Sequence, residues 1–230
     1  MSATIQPRLD ILPPAQRKIW PELRNVASLG YVLYGGTALA LRLAHRRSVD
    51  FDFFTDQALD RSALFRALPS LAGSTLLQDT FDTITAVVPV ARSRVKISFF
   101  AGLRIGRVGQ PELTSDGVLQ IASMKDLLAT KLKFLLQRVE AKDYQDVAAI
   151  LAHGGRLTDG LAAARALYGG TFQPTECLKA LIYFEGGDLK SLSRATRARL
   201  IAAVNEVRDL PKIRRVSKSL NATAARRPRG

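Results

Sequence analysis

The chain has 230 residues, of which 34 are Lys or Arg and 20 are Asp or Glu, so its formal net charge is +14. Hydrophobic residues make up 47% and charged residues 23%, a composition typical of soluble globular proteins that excludes collagen, a coiled coil and wholesale disorder. The single cysteine and two histidines exclude an internal disulfide framework and argue against a His/Cys zinc site. Any metal is therefore expected to be a hard cation bound by carboxylates.

The positive charge is concentrated at the C-terminal end. Residues 190–230 contain twelve basic and two acidic residues, so this segment carries +10 and the rest of the chain +4. Such a segment predicts a polyanionic partner such as RNA, DNA or an acidic protein; the alternative is a solubilising tail. No stretch approaches the ~18 apolar residues of a membrane span, and the N-terminus lacks the apolar run of a signal peptide. We therefore expect a cytoplasmic protein without membrane contact.

Hydrophobic spacing predicts a mixed first half and a helical second half. Helices are expected over about 15–28, 38–45 and 59–68, and strands over 31–34, 48–54, 74–78, 83–88 and 93–100. From residue 123 the pattern is helical, with breaks at Gly-Gly pairs. The pattern predicts an α+β fold, with an α/β domain over 1–115 and a helical domain over 116–230 whose basic tail is flexible from about 210.

Two carboxylates share one face of a predicted strand. Side chains alternate over 48–54, which predicts a core-facing set of Val49, Phe51 and Phe53. Asp50 and Asp52 then lie on the opposite face, about 7 Å apart. Like charges at this spacing are unfavourable unless water or a cation neutralises them. The segment is therefore either a half-exposed acidic strand face or a divalent-cation site.

A glycine pair lies about fourteen residues before this acidic strand. Gly35 and Gly36 follow a short apolar strand, and Thr37 begins a helix. Backbone N–H groups at a helix N-terminus bind phosphate, and glycines allow close approach. Alone the pair indicates only a turn, but with the acidic strand it predicts phosphate donors and metal ligands in one compact unit. The basic residues between them could contact phosphate, although most are expected to be solvated: Arg42, His45, Arg46 and Arg47.

Charged residues also lie on inward-facing stripes of two later helices. Lys131 and Arg138 lie seven residues apart on the apolar face of the first, and Asp143 and Asp146 on the apolar face of the second. Buried charges need partners. The four residues therefore form either a structural salt-bridge network or a Lys directed at nucleotide phosphates with an Asp near the catalytic pocket.

Taken together, these residues resemble a known family. The segment GGTALALRLAHRRSVDFDFFT resembles the first motif of the polymerase-β-like nucleotidyltransferases, specifically the AbiEii/AbiGii toxin family. DLLATKLKFLLQRVEAKDYQDVAAIL is similar to the later Lys and Asp motifs of that family. The resemblance implies a mixed-sheet nucleotidyltransferase domain followed by a helical half, and transfer of a nucleotidyl group from an NTP with Mg²⁺ or Mn²⁺. Some members modify the 3′ end of tRNA and stop growth; others are paired with an antitoxin.

The resemblance also implies roles for individual residues. The nucleotide-binding residues would be Gly35, Gly36, Thr37, Ser48 and Lys131. The metal ligands would be Asp50 and Asp52, which form the catalytic set with Lys131 and Asp143. The supporting residues would be Arg138, Asp146 and Ser98. Whether Asp143 or Asp146 is the later catalytic acid is left open.

One position departs from the family pattern. Enzymes of this type usually bring a third carboxylate from a neighbouring strand, here 94–100, whose alternation instead presents Lys96 and Ser98. Serine is at best a neutral ligand and cannot act as a base, whereas two-metal transfer normally uses that acid. One-metal chemistry, substitution by Asp143 or Asp82, and an inactive scaffold are the alternatives.

Three functions are compatible with these patterns. The first is a toxin that transfers NMP from an NTP to a tRNA-like RNA acceptor, which the basic tail favours. The second is a nucleotidyltransferase acting on a small molecule or a protein hydroxyl. The third is a degenerate nucleotidyltransferase scaffold that binds nucleotide or a partner protein, which Ser98 favours.

Overall fold

A mixed β-sheet forms the centre of the molecule. The computed structural model describes residues 4–222, and in this range the strands are β1 (Thr4–Ile5), β2 (Val32–Tyr34), β3 (Asp50–Phe54), β4 (Thr75–Asp79), β5 (Thr83–Val90), β6 (Ser93–Phe100), β7 (Glu112–Thr114) and β8 (Gln120–Ile121). They lie in the order β1-β7-β8-β2-β3-β6-β5-β4. At the centre, β3 is antiparallel to β2 and parallel to β6.

Helices surround this sheet and make up most of the second half. They are α1 (Pro14–Ile19), α2 (Arg24–Ser28), α3 (Gly35–Leu43), α4 (Arg61–Ala67), α5 (Met124–Leu135), α6 (Ala141–Ala152), α7 (Leu157–Tyr168), α8 (Pro174–Ile182) and α9 (Arg194–Asn205). The predicted α+β fold with a helical C-terminal half is confirmed. Within residues 4–222 no helix combines the length and the apolar character that crossing a bilayer requires.

The acidic strand β3 begins two residues later than predicted. Phe51 and Phe53 are fully buried, as expected, but Val49 precedes the strand and is 62% exposed. The prediction that Val49 packs in the core is wrong, because strand alternation does not extend to it. Phe54, on the same face as the two acids, is buried and stacks on Tyr34 with ring centroids 4.5 Å apart.

The short strands β7 and β8 connect the two halves of the chain. Because β8 pairs with β2 through Leu33 and Ile121, a strand beyond residue 115 completes the sheet of the first half. The buried hydrophobic residues form one continuous cluster from Leu12 to Leu220. The division into domains at residue 115 stays a prediction.

The described part of the basic tail is attached to the body. The backbone of Arg107 exchanges two hydrogen bonds with Val216 and Ser217, and the backbone N–H of Leu220 donates to Asp56 Oδ1 at 3.0 Å. The Leu220 side chain is buried. The expected flexible tail from about 210 therefore has an ordered contact segment up to residue 222, while residues 223–230 lie outside the described range.

Candidate active site

The turn between β2 and α3 lets charged side chains approach the backbone. Gly35 has φ +72, a conformation that glycine adopts without a steric penalty. A Cβ atom on Gly35 would overlap Oδ2 of Asp52, and one on Gly36 would lie 2.6 Å from Nη2 of Arg46. No side chain within residues 4–222 caps α3, so its first N–H groups can bind an anion.

The two carboxylates of β3 lie side by side with two residues of the neighbouring strand β6, on the same face of the sheet. In the register of β3 and β6, Asp50 lies opposite Lys96 and Asp52 opposite Ser98. Lys96 Nζ is 3.5 Å from Asp50 Oδ2. Ser98 is buried, and its Oγ lies 3.4 Å from that of Thr85. The predicted placement of Lys96 and Ser98 beside the acidic pair is thus confirmed.

The surroundings of Asp52 disfavour its charged form. Burial and the neighbouring charge of Asp50 raise the pKa of Asp52, and the charges of Lys131, Lys96 and Arg138 offset only part of this effect. A cation placed between the two acids would relieve the repulsion. The burial and the like charges of Asp50 and Asp52 therefore favour the binding of a cation between them.

Lys131 on α5 connects both acids of α6. Its Nζ lies 2.6 Å from Asp143 Oδ1 and 2.6 Å from Asp146 Oδ2. Arg138 donates two further hydrogen bonds to Asp143, at 2.8 and 3.2 Å. Although burial opposes ionisation, the hydrogen bonds from Arg138 and Lys131 hold the pKa of Asp143 below its usual range. Of the two alternatives for these charged residues, the structure shows the salt-bridge network, and phosphate binding by Lys131 stays a prediction.

Asp146 has its own pair of partners, Arg46 and His45, from the segment after α3. Arg46 donates to both of its carboxylate oxygens, at 2.7 and 2.8 Å, and His45 Nε2 lies 2.6 Å from Oδ1. Burial raises the pKa of Asp146, but the hydrogen bonds and charges of His45, Lys131 and Arg46 outweigh it and hold the pKa well below its usual range. Asp146 thereby fixes α6 to the glycine turn.

The two acids of α6 are enclosed by basic side chains and His45. The side chains of Asp143 and Asp146 are completely buried, and their oxygens are bound by Lys131, Arg138, Arg46 and His45. Both acids therefore position the side chains that bind them. A catalytic role for Asp143 stays a prediction.

A cavity of about 150 Å³ lies between the glycine turn, the Asp50 and Asp52 pair and Lys131. Six basic side chains and two carboxylates line it, together with two glycines and three other residues: Arg46, Arg47, Lys96, Lys131, Arg138, Lys142, Asp50, Asp52, Gly35, Gly36, Ser48, Val49 and Phe134. Basic side chains outnumber acids in this lining, although three of them pair with Asp143 or Asp146 behind it. Basic groups beside two acids and a helix N-terminus are the groups that bind a polyphosphate with a divalent ion.

Five sequence-predicted residues do not line this cavity: Thr37, Asp82, Ser98, Asp143 and Asp146. Thr37 is buried, and its hydroxyl donates to the backbone oxygen of Asp50, so it connects α3 to β3 and its side chain is not placed to bind nucleotide. Asp82 lies in the exposed turn between β4 and β5, where it accepts hydrogen bonds from Thr80 and Thr83. It cannot replace the third carboxylate from that position.

The four basic residues at the end of α3 and directly after it are mostly not the solvated surface residues that the sequence predicts. Arg42 pairs with Glu112 and donates to the carbonyl of Ala122 at 2.8 Å, and His45 and Arg46 bind Asp146. Only Arg47 among the four is exposed. The buried pairings have no local sequence signal, because the partners lie about 70 to 100 positions away.

The described part of the tail lies at the other end of the central strands. Asn221 is next to Gly30, which precedes β2, and the Leu220 backbone binds Asp56, which follows β3. Gly35 and Asp52 are four to five residues away along these strands, about 13–17 Å at the rise of an extended chain. The tail residues up to 222 therefore do not line the cavity.

The donor set fits one divalent cation. Among residues 4–222 no group of three or more His, Cys, Asp or Glu side chains could hold a metal ion, which leaves the Asp50 and Asp52 pair. Mg²⁺ is commonly held by one or two carboxylates together with substrate phosphates. Burial and the charge of Asp50, which together raise the pKa of Asp52, favour an ion here.

The sheet, the glycine turn and the acidic pair define a nucleotidyltransferase. The family described as "Nucleotidyl transferase AbiEii toxin, Type IV TA system" matches residues 24–218, and the chain belongs to this family. An uncharacterised protein of Aquifex aeolicus is 32% identical over 170 residues, which cover 71% of this chain and 80% of that protein.

Two solved structures share the fold at low sequence identity. A candidate nucleotidyltransferase from H. pylori has a TM-score of 0.56 at 17% identity, over 83% of this chain and 92% of that chain. MenT4, a nucleotidyltransferase toxin from Mycobacterium tuberculosis, has a TM-score of 0.51 at 15% identity, over 82% of each chain. The expected family and fold are confirmed.

Proposed function

We propose that this protein transfers a nucleotidyl group from an NTP to a hydroxyl of an RNA acceptor and acts as the toxin of a toxin–antitoxin pair. The observation that carries this proposal is the cavity in which Asp50 and Asp52 meet the uncapped start of α3 and six basic side chains. The antitoxin follows from family membership.

The phosphates of the NTP would bind between the glycine turn and Lys131. The backbone N–H groups at the start of α3 are donors for phosphate oxygens, and Ser48 lines the cavity beside Gly36. Lys131 is held by Asp143 and Asp146, and Arg46 by Asp146. Cations held in this way need little reorganisation when charge develops on the phosphates, which is the condition for electrostatic catalysis.

The acidic pair would hold one divalent ion, Mg²⁺ or Mn²⁺, which when bound supplies positive charge beside the α-phosphate. In the proposed step the acceptor oxygen forms a bond to the α-phosphorus, and the bond from this phosphorus to the β-bridging oxygen breaks. Pyrophosphate leaves with that electron pair, and the hydroxyl proton passes to water. The acceptor gains one NMP.

RNA is favoured as acceptor by the charge around the cavity. Arg47 and Lys142 lie at its edge, and Arg47 is exposed. Basic side chains at the mouth of a site attract a polyanion. The basic tail, which suggested RNA in the sequence, contributes less to this argument because residues up to 222 lie at the other end of the strands.

The test is transfer of label from each of the four α-labelled NTPs to RNA in the presence of Mg²⁺. We expect transfer with at least one NTP, and a loss of at least about 100-fold in Asp50→Asn, as for removal of a group that stabilises a transition state. The matched control is Asp209→Asn, an acid that is exposed and outside the cavity. The absence of transfer with all four NTPs, or equal rates in wild type and Asp50→Asn, would contradict the proposal.

A degenerate scaffold is the second candidate, and the neutral Ser98 opposite Asp52 favours it. A scaffold of this kind would bind NTP or a partner protein without turnover. Calorimetric titration with Mg²⁺ and an NTP separates the two: nucleotide binding without any transfer supports the scaffold, whereas binding with transfer supports the enzyme.

A further inference from the structure

Lys96 lines the cavity, but neither the family resemblance nor the sequence-predicted site residues supply a role for it. Resting on the proposed function, we infer that Lys96 is the second cation of the active site, so that the protein holds a single divalent ion where related chemistry uses two. Its ammonium group would supply, beside Asp50, the positive charge that the second metal ion supplies in a two-metal site.

The register of the central strands carries this inference. A two-metal site for an in-line displacement has two ions about 3.5–4 Å apart, and each needs anionic ligands. The two residues of β6 that face Asp50 and Asp52 are Lys96 and Ser98, one cationic and one neutral. With two carboxylates alone, the anionic ligands suffice for one ion and its bound phosphates.

The position of Lys96 also distinguishes it from an ordinary surface lysine. An exposed Lys–Asp pair contributes little to stability and needs no functional role. Lys96, however, lies 3.5 Å from Asp50 and lines the cavity that Asp52 and Lys131 also line. A second divalent ion at Asp50 would meet this ammonium group at short range and be repelled.

Lys96 keeps its side chain accessible at this position. The side chain is 43% exposed and that of Asp50 31%, so a ligand entering the cavity can contact both. Ser98, by contrast, is buried next to Thr85. Of the two β6 residues beside the acidic pair, the cation and not the hydroxyl is therefore accessible to a ligand.

The test counts and locates Mn²⁺ by electron paramagnetic resonance, using the full chain with Mn²⁺ and a non-hydrolysable α,β-methylene NTP. We expect the wild type to bind one Mn²⁺ per chain and to give the spectrum of an isolated ion. Lys96→Asp restores a carboxylate and is expected to bind two ions whose spins are coupled. Arg94→Asp is the matched control, because Arg94 lies two residues earlier on β6, is exposed and is absent from the cavity lining.

Turnover gives a second readout. Lys96→Met is expected to lower kcat by about 100-fold, the scale for loss of one preorganised electrostatic group, with a small change in KM for the NTP and partial recovery in Lys96→Arg. A coupled two-ion spectrum in the wild type would overturn the inference while leaving the proposed function intact. A single ion in Lys96→Asp would also overturn it, whereas no Mn²⁺–nucleotide binding in the wild type would overturn the proposed function.

Discussion

The carboxylate of Asp52 on β3 occupies the space that a Cβ atom on Gly35, directly after β2, would fill. This contact joins the two halves of the motif, the glycine turn and the acidic strand, into one rigid unit. It shows that Gly35 is needed by the protein itself, because Asp52 occupies the space that a side chain would fill. Any phosphate bound at the turn would lie next to that carboxylate.

Gly35→Ala tests this contact. We expect the substitution to lower both stability and Mn²⁺–NTP affinity, because Ala disfavours φ +72 and its methyl group would displace Asp52. Gly117→Ala is the matched control: it has a similar φ, +69, with nothing within 4 Å of the added methyl group, so it reports the backbone penalty alone, about 1–2 kcal/mol. Equal loss of stability in the two variants, measured by urea unfolding, would show that the contact is unimportant.

Asp146→Asn is expected to destabilise the protein by about 3–5 kcal/mol, since it removes the charged partner of Arg46 and leaves Lys131 with Asp143 alone. The folded pKa of Asp146 lies below its unfolded value of about 3.9. Its stabilising contribution is therefore fully present above that pH and is lost as the pH falls through the folded pKa.

The corresponding measurement is the free energy of unfolding of wild type and Asp146→Asn between pH 7 and pH 3. The difference should be constant down to about pH 5 and shrink below pH 4. Asp209→Asn should show little difference at any pH. A difference between wild type and Asp146→Asn that grows on acidification would mean that the carboxylate is not the group that stabilises this network.

Ser98→Asp would introduce a third carboxylate opposite Asp52. In the absence of metal we expect lower stability, because the new charge is buried beside two acids. Mn²⁺ should then raise the Tm of this variant more than that of the wild type, since binding to the folded state alone stabilises it. Ser98→Ala, which removes only the hydroxyl, should leave the Mn²⁺ effect unchanged. An identical Tm increase in the wild type, Ser98→Asp and Ser98→Ala would show that the ion does not bind next to residue 98.

The contributions of the cavity edge and of the tail can be separated with a short single-stranded RNA. Replacing Arg47 and Lys142 by Gln should weaken binding and reduce the salt slope by about 0.7 for each phosphate that the protein no longer neutralises. The triple variant Arg214→Gln, Arg215→Gln, Lys218→Gln should leave binding of the same RNA nearly unchanged, because this segment lies at the other end of the strands. A larger decrease in affinity in the triple variant would assign RNA binding to the tail.

The parts of the site that sequence can predict are local. Gly35, Asp50 and Asp52 are predictable because strand alternation and a helix start place them within eighteen residues of one another. Lys131 and Asp143 are predictable because charged residues on an apolar helix face need partners. Each of these inferences uses a hydrophobic period or a residue spacing that is visible in the sequence.

The remaining parts depend on contacts between distant segments. Asp146 binds His45 and Arg46, which lie about 100 residues away in the sequence. Neither segment contains a local pattern that predicts contact with the other. β7 and β8 are three and two residues long, too short for a periodic signal. The prediction for Val49 is wrong because alternation ends at the start of β3, and the ordered tail contacts depend on single bonds such as that of Leu220 to Asp56.

The central claim, that the cavity is a metal–nucleotide site, is tested most directly by a crystal structure with Mn²⁺ and an α,β-methylene NTP. We predict one anomalous peak, from a Mn²⁺ ion bound by both Asp50 and Asp52. The triphosphate should lie against the N-terminus of α3 and Lys131. A nucleotide bound elsewhere, or a cavity without metal when the crystals contain saturating Mn²⁺ and nucleotide, would contradict the account.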